Sequence, residues 1–281
     1  MLKLHAIGRD GLEAAAELLL QGFPSRSLAF WQDGLKRLSD YSNDANAGSI
    51  GNMLMADGVP VGVLLTINRR DSQTDRKIVN LSGWYVREDH RWYAPRMLLS
   101  ALSDAGAVYT DLTPSDAAVA MNDRLGFRTI GYDVHLLPLP LLAVTGRGRG
   151  RLRSIDDLPE GALAGPIRQD LARHRALGCI VTTIEAGGKF HPLVFDTFRR
   201  KGIPIARVIY AESNDLIIEH LGPLSRHLIA RGIPLLSLRM PERSTLPCSW
   251  LWRRGLRYQV KGEWDERKTD ELYSERVLLK V

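Results

Sequence analysis

Arg91 is the residue of this chain best placed to hold a phosphate, because it sits in a short charged run, Arg87 to Tyr93, between a strand-like segment and a helix start. A turn that feeds a helix aims unpaired backbone N–H groups and the positive end of the helix dipole at one spot, and anions collect there. His90 and Arg91 add side-chain charge at the same place. The chemistry suggested is the binding of a phosphate-bearing ligand over Arg87 to Arg96.

The elements that position this turn can be read on either side. Asn80, Ser82 and Trp84 alternate with Val79, Leu81 and Gly83, so Ile78 to Val86 is predicted to be a strand. Pro95 suits the first turn of a helix, where its missing N–H costs nothing, and Leu98, Leu99 and Leu102 follow as its core face. Upstream the order is a strand at Leu2 to Ile7, a helix from Gly11 capped by Asp10, and a helix from Ser27 to Ser39. A polar loop, Asp40 to Gly48, then leads into a hairpin turned at Asp57-Gly58. Downstream come a strand at Val108 to Leu112, a helix from Ser115 ended by Gly126, and a strand from Phe127 to Val134.

This order and these residues resemble the GNAT acyl-CoA-dependent N-acyltransferases, whose pyrophosphate loop reads Arg/Gln-x-x-Gly-x-Gly/Ala between a central strand and a helix. Arg91 fits the first position; Ala94 replaces the first Gly, Arg96 stands where a small residue is usual, and Trp92 fills a place that is often Gly. Arg124-Leu125-Gly126-Phe127 resembles the family's helix ending, and the resemblance spans residues 1 to about 138. It implies an α/β fold with a mixed sheet, and an acyl-CoA lying along the central strand. Trp84, Val86, Arg91, Trp92, Tyr93, Ala94 and Arg96 would form the cofactor-binding set. The thioester would lie near the backbone of Gly83, Trp84 and Tyr85. Family members often protonate the leaving thiolate with a Tyr five residues before that Phe; here the position is Asn122, which donates a hydrogen bond but no proton. Tyr85, with Tyr93 behind it, is then the candidate acid, and Glu88, with Asp89 and His90, the candidate base.

The second half looks like a copy of the first. Ser49 to Asp57 meets Gly178 to Ala186 at an offset of 129 residues, and Arg124 to Arg128 meets Arg253 to Arg257 at the same offset. Strands are expected at Phe190 to Phe198, Ile205 to Ala211 and Pro234 to Arg239, with a helix from Asn214 to Arg231 and a short Trp-rich helix ending at Arg254. The expected organisation is two tandem GNAT-like domains: residues 1–140 with the acyl-CoA site, a basic Gly/Arg linker at 141–153, and a degenerate copy at 154–281. No phosphate loop follows Ala211-Glu212-Ser213-Asn214 in that copy. The strand-like run Ser274 to Val281 could be exchanged onto the first domain.

The whole chain sets the outer bounds. Its 281 residues exceed one common domain, and 44% hydrophobic with 25% charged residues is an ordinary globular composition. A net charge of +6 and a pI near 9.4 favour anionic ligands, of which a CoA is one. Nucleic acid is the other, but the one compact cluster, Arg147, Arg149, Arg151 and Arg153, is interleaved with Gly and reads as a solvated linker. The N-terminal residues lack a signal-peptide layout and no apolar run spans a membrane, so a cytoplasmic location is expected. Cys179 and Cys248 offer no zinc spacing, and no metal is expected. Walker, G-x-S-x-G and Rossmann motifs are absent. The expected function is transfer of an acyl group, acetyl first, from CoA to a small-molecule or peptide amine; the alternative is an inactive GNAT-like protein that binds acyl-CoA or a protein partner.

Overall fold

The structure is a computed structural model describing residues 1–146 and 148–281; Arg147 of the basic cluster lies outside the described residues. In chain order the first elements are β1 (Leu2–Ala6), α1 (Leu12–Gly22), α2 (Leu28–Asp44), β2 (Gly51–Ala56), β3 (Val59–Arg70) and β4 (Lys77–Val86). Then come α3 (Ala94–Ala101), β5 (Val108–Asp111), α4 (Asp116–Arg124), β6 (Arg128–Pro138), α5 (Leu139–Thr145), β7 (Arg151–Arg153) and α6 (Gly165–Ala176). The remainder is β8 (Ile180–Ala186), β9 (Lys189–Arg200), β10 (Ile203–Ala211), α7 (Asn214–Glu219), α8 (Leu221–Ile229), β11 (Leu235–Pro241), β12 (Trp250–Lys261), β13 (Thr269–Asp270) and α9 (Glu275–Leu278).

Local chemistry explains many of the boundaries. Ser27 and Ser115 cap α2 and α4, their side chains accepting from the Phe30 and Ala118 N–H groups. The β2–β3 hairpin turns at Asp57-Gly58, both with positive φ (49° and 84°), and the β8–β9 hairpin turns at Gly187-Gly188 in the same way (57° and 74°). Two-residue turns of this hand match the twist of the strands they join.

Two compact units divide the chain, and neither is a contiguous half. The first comprises Met1–Ile130, Arg257–Trp264 and Tyr273–Val281; the second comprises Gly131–Leu256 and Asp265–Leu272. In the first unit the strands pair in the order β1-β2-β3-β4-β5, and the last residues of β12 extend the sheet antiparallel to β5, with Gln259 opposite Asp111. Its core is built by Leu54, Leu64, Val79, Leu81, Met97, Leu98 and Phe127. In the second unit the order is β7-β8-β9-β10-β11-β6, with β13 on β10. Leu193, Phe195, Ala206, Leu224, Leu228 and Leu236 form its core.

Several expectations are corrected. The Trp-rich segment ending at Arg254 is the start of strand β12, not a helix: Trp250 and Trp252 alternate with other residues at strand period, and the strand runs on to Lys261. The run Ser274 to Val281 contains helix α9 and joins the first unit as a helix rather than a strand. Arg253 to Arg257 therefore lies inside a strand, so it does not correspond to the helix ending at Arg124 to Arg128. Asp10 lies in a 3-10 turn and gives α1 no side-chain cap. Helix α2 continues through Asp44, shortening the expected loop, and the expected helix from Asn214 to Arg231 is broken at His220 into α7 and α8. The 141–153 stretch holds part of α5 and all of β7. Leu99 is 53% exposed; Met97 takes its place in the core.

Candidate functional site

The central feature of the first unit is a break in strand β4. Opposite β3, Leu64 pairs with Trp84 and Leu65 with Ser82, so Gly83 is an unopposed bulge residue, held at φ +39°. Only glycine takes that conformation without strain. On the other side, β4 and β5 run parallel for four pairs, Ile78↔Val108 to Leu81↔Asp111, and then part. The bulge thus falls where the β4–β5 ladder ends. Beyond Leu81 that edge of β4 borders a cavity of about 710 Å3.

Aromatic side chains form much of its wall: Phe23 and Trp31, with ring centroids 5.5 Å apart, and Trp84 and Tyr85 from the strand itself. Gly22 makes room for Tyr85, since a Cβ there would come within 2.6 Å of its ring. The indole N–H groups of Trp31 and Trp84 are buried without a hydrogen-bond partner. Buried donors of this kind are uncommon and fit a polar occupant.

Three acceptor groups line the cavity where β5 ends. Asn122 donates from Nδ2 to Asp111 Oδ2 (3.0 Å) and Gln259 Oε1 (2.9 Å), while its Oδ1 is buried with no hydrogen-bond partner. Glu275, from α9, accepts at Oε1 from the Thr113 hydroxyl (2.5 Å), and its backbone N–H donates to Asn80 Oδ1 (3.1 Å). Burial first, and then the charge of Glu275, push Asp111 up to about 7 from the ordinary 3.8, against opposing hydrogen bonds from Asn122 and the Thr113 N–H.

This shift has a consequence for stability. The fold disfavours ionised Asp111, so the stability associated with the neutral acid is present below pH 3.8 and is lost as pH rises through about 7. Asp111→Asn is expected to raise the melting temperature at pH 8 and to leave it nearly unchanged at pH 4. The upper limit is ~4 kcal/mol, from ~1.4 kcal/mol per pH unit. Thermal melts at the two pH values check this; an equal change at both would contradict it.

Of the residues singled out from the sequence, Trp84, Tyr85, Val86, Arg91, Ala94 and Asn122 all line this cavity. Glu88 does not: it is exposed in a 3-10 turn, Glu88–Tyr93, and its carboxylate stands 3.9 Å from Arg91. Trp92 is 70% exposed, and Arg96 lies over the Tyr93 ring on a separate shallow depression beside β1. The turn uses some of the N–H groups expected to face a phosphate, since His90 N donates to Arg87 O and Ala94 N to Arg91 O. Both side-chain N–H groups of Asn122 are engaged, by Asp111 and Gln259. Sequence reasoning missed Gly83 as a bulge, although a glycine inside a strand is a signal for one. It also missed Asp111 and Glu275, which no local motif marks.

The second unit has the counterpart of this arrangement, but there it is filled. Strand β10 pairs with β11 for three residues only, Ile205 to Arg207, and its register against β9 shifts between Val208 and Tyr210. Past that irregularity β13 pairs with Tyr210 and Ala211, and the Glu271 N–H donates to the Ile209 carbonyl (2.8 Å). Arg239 and Glu271 form an ion pair beside it. Among the described residues no three His, Cys, Asp or Glu side chains group as a metal site. Among the described residues no helix is long and apolar enough to cross a membrane.

No protein-family model matches the sequence, and no curated protein matches it. Solved structures do match. A GCN5-related N-acetyltransferase from Anabaena variabilis superposes with a TM-score of 0.59 at 11% identity, over 92% of this chain and 72% of that one. A candidate acetyltransferase from Pyrococcus horikoshii gives 0.54 at 13%, over 97% and 93%. A GCN5-related N-acetyltransferase from Kribbella flavida gives 0.55 at 11%, over 92% and 70%. At such identities the likeness establishes the fold.

Proposed function

We infer that the first unit, in a fold that is that of the GCN5-related N-acetyltransferases, transfers an acyl group, acetyl first, from CoA to an amine. The observation that carries this reading is the coincidence of the Gly83 bulge with the end of the β4–β5 ladder, over a cavity lined by Arg91. Among the described residues the backbone groups of Gly83 to Val86 have no strand partner on that edge, and they suit the thioester and the pantetheine amides. Arg91, with the start of α3, suits the pyrophosphate. Trp92, Tyr93 and Arg96, outside the cavity, are assigned to the part of CoA beyond the pyrophosphate. Tyr85 is the candidate acid for the departing thiolate, whereas Glu88, outside the cavity, is not carried forward as the base.

In the second unit β13 pairs along the corresponding edge of β10, so one cofactor per chain is expected.

Calorimetric titration with acetyl-CoA tests this directly. Micromolar binding at one site per chain is expected, weakened at least ~10-fold (~1.4 kcal/mol) by Arg91→Glu, which replaces attraction for the pyrophosphate by repulsion. Wild-type protein that binds neither acetyl-CoA nor longer acyl-CoAs would remove the reading. Asn122 in place of a proton donor favours a second reading, an acyl-CoA-binding protein without turnover; it predicts binding with no amine-dependent release of thiol.

A further inference from the structure

We propose that Asp111, Glu275 and the Oδ1 of Asn122 form the seat for the acceptor's ammonium group, with Asp111 taking its proton, and that the acceptor is a primary amine on an apolar or aromatic body. This deepens the acyl-transfer reading and rests on it. The argument begins from the polarity of the three groups. The carboxylates of Asp111 and Glu275 line one cavity with Asn122, whose Oδ1 has no hydrogen-bond partner, and all three groups accept hydrogen bonds. An ammonium group has three donors and no acceptor, so it complements such a set. Asn122 is only 1% exposed, and an acceptor buried so deeply without a partner calls for a donor from the occupant.

The position fits the chemistry. Asp111 is opposite Leu81 in the parallel register, and Gly83 lies two residues further along β4, roughly 7 Å at strand rise. A nitrogen seated on Asp111 would therefore stand beside a thioester carbonyl held at the bulge. The other charged or titratable side chains lining the cavity are Glu275, Arg26, Arg91 and Tyr85, and the backbone end at Val281 lines it as well. Of the groups on the packed elements, Asp123 is reached only through Gln259, and Lys261 is bonded to the Leu125 carbonyl. Phe23, Trp31 and Trp84 supply a wall for the apolar body, and aromatic faces also attract the cation.

In the step itself, ionised Asp111 removes one proton from the bound ammonium, freeing the nitrogen lone pair. The nitrogen attacks the thioester carbonyl carbon, forming the C–N bond. The C–S bond then breaks, its electron pair leaving with sulfur. Tyr85 gives its hydroxyl proton to the thiolate and takes back the second proton shed by nitrogen, giving amide and CoA thiol, and Asp111 returns its proton to water.

The test uses tryptamine and its neutral isostere tryptophol on the full chain, with acetyl-CoA binding measured in parallel. Wild-type protein is expected to bind tryptamine at least ~10-fold more tightly than tryptophol, and both Asp111→Asn and Glu275→Gln to lose that discrimination while binding acetyl-CoA unchanged. In acetyl transfer to tryptamine, Asp111→Asn is expected to lower kcat/KM about 100-fold, the scale of a lost general base, and to abolish its acid limb. Glu275→Gln should move that limb to lower pH, since the Glu275 charge helps keep Asp111 protonated. Equal binding of the two probes by wild type, or binding of neither, overturns the proposal, as does Asp111→Asn with the wild-type rate and pH profile. Loss of acetyl-CoA binding by the wild type would instead overturn the acyl-transfer reading, so the two failures are distinct.

Discussion

Gly83→Val is expected to abolish measurable acetyl-CoA binding and to lower the stability of the first unit by ~3 kcal/mol. Two costs combine. The backbone at Gly83 is held at φ +39°, which penalises any side chain and a β-branched one most. A Cβ there would also meet Leu65 Cδ1 at 2.9 Å and Leu19 Cδ2 at 3.1 Å, both buried core atoms. The chain can relieve these contacts only by flattening the bulge or moving β4 off β3, and either change shifts the strand edge on which the thioester would lie. Gly58→Ala provides the control: φ there is +84°, but nothing lies within 4 Å of the added Cβ. It should cost about 1 kcal/mol and leave binding intact. Acetyl-CoA titration and denaturant melts of both variants check the pair, and full binding by a folded Gly83→Val would contradict the role given to the bulge.

Gln259→Ala is expected to destabilise the first unit by ~3–5 kcal/mol, although the residue is far in sequence from the rest of that unit's sheet. Its side chain is fully buried. Oε1 accepts from Asn122, while Nε2 donates to Asp123 Oδ1 (2.7 Å), Thr129 Oγ1 (3.0 Å) and more weakly to Val119 O (3.4 Å). Truncation leaves a cavity in a fully buried site and removes one hydrogen bond each from Asn122, Asp123 and Thr129, which keep Asp111 and one another as partners, so the cavity dominates and the lost bonds add ~1 kcal/mol each. Asn122→Leu should cost less in the Gln259→Ala background than alone, because part of the network is already lost. Additive effects in a double-mutant cycle would show that the two side chains do not act together.

Much of this architecture is visible in the sequence where the cause is local. The strand at Ile78 to Val86, the helix opened by Ala94-Pro95, the Asp57-Gly58 turn and the Ser115 cap each follow from a few neighbouring residues. Arg91 was legible for the same reason, being a guanidinium in the turn just ahead of a helix start. The composition of the site was not. Thr113 and Glu275 are 162 positions apart, and their contact exists because the chain's last helix packs in the first unit. Asp111 resembles any strand-end carboxylate until burial and Glu275 act on it. Strand β12 was misread because its tryptophans and arginines suit a surface helix by spacing, while its pairing with β5 depends on residues nearly 150 positions away. Arg96 and Trp92 disturbed the expected loop pattern, yet in the structure they lie outside the cavity, where bulk does not obstruct it.

The measurement that tests the central claim most directly is release of CoA thiol from acetyl-CoA by the purified chain, with and without tryptamine, with the amide product identified by mass. The account predicts amine-dependent release, stoichiometric with acetyltryptamine and absent in Gly83→Val. Tight acetyl-CoA binding without thiol release for tryptamine or any other primary amine tried would contradict catalysis and leave the first unit as a cofactor-binding module.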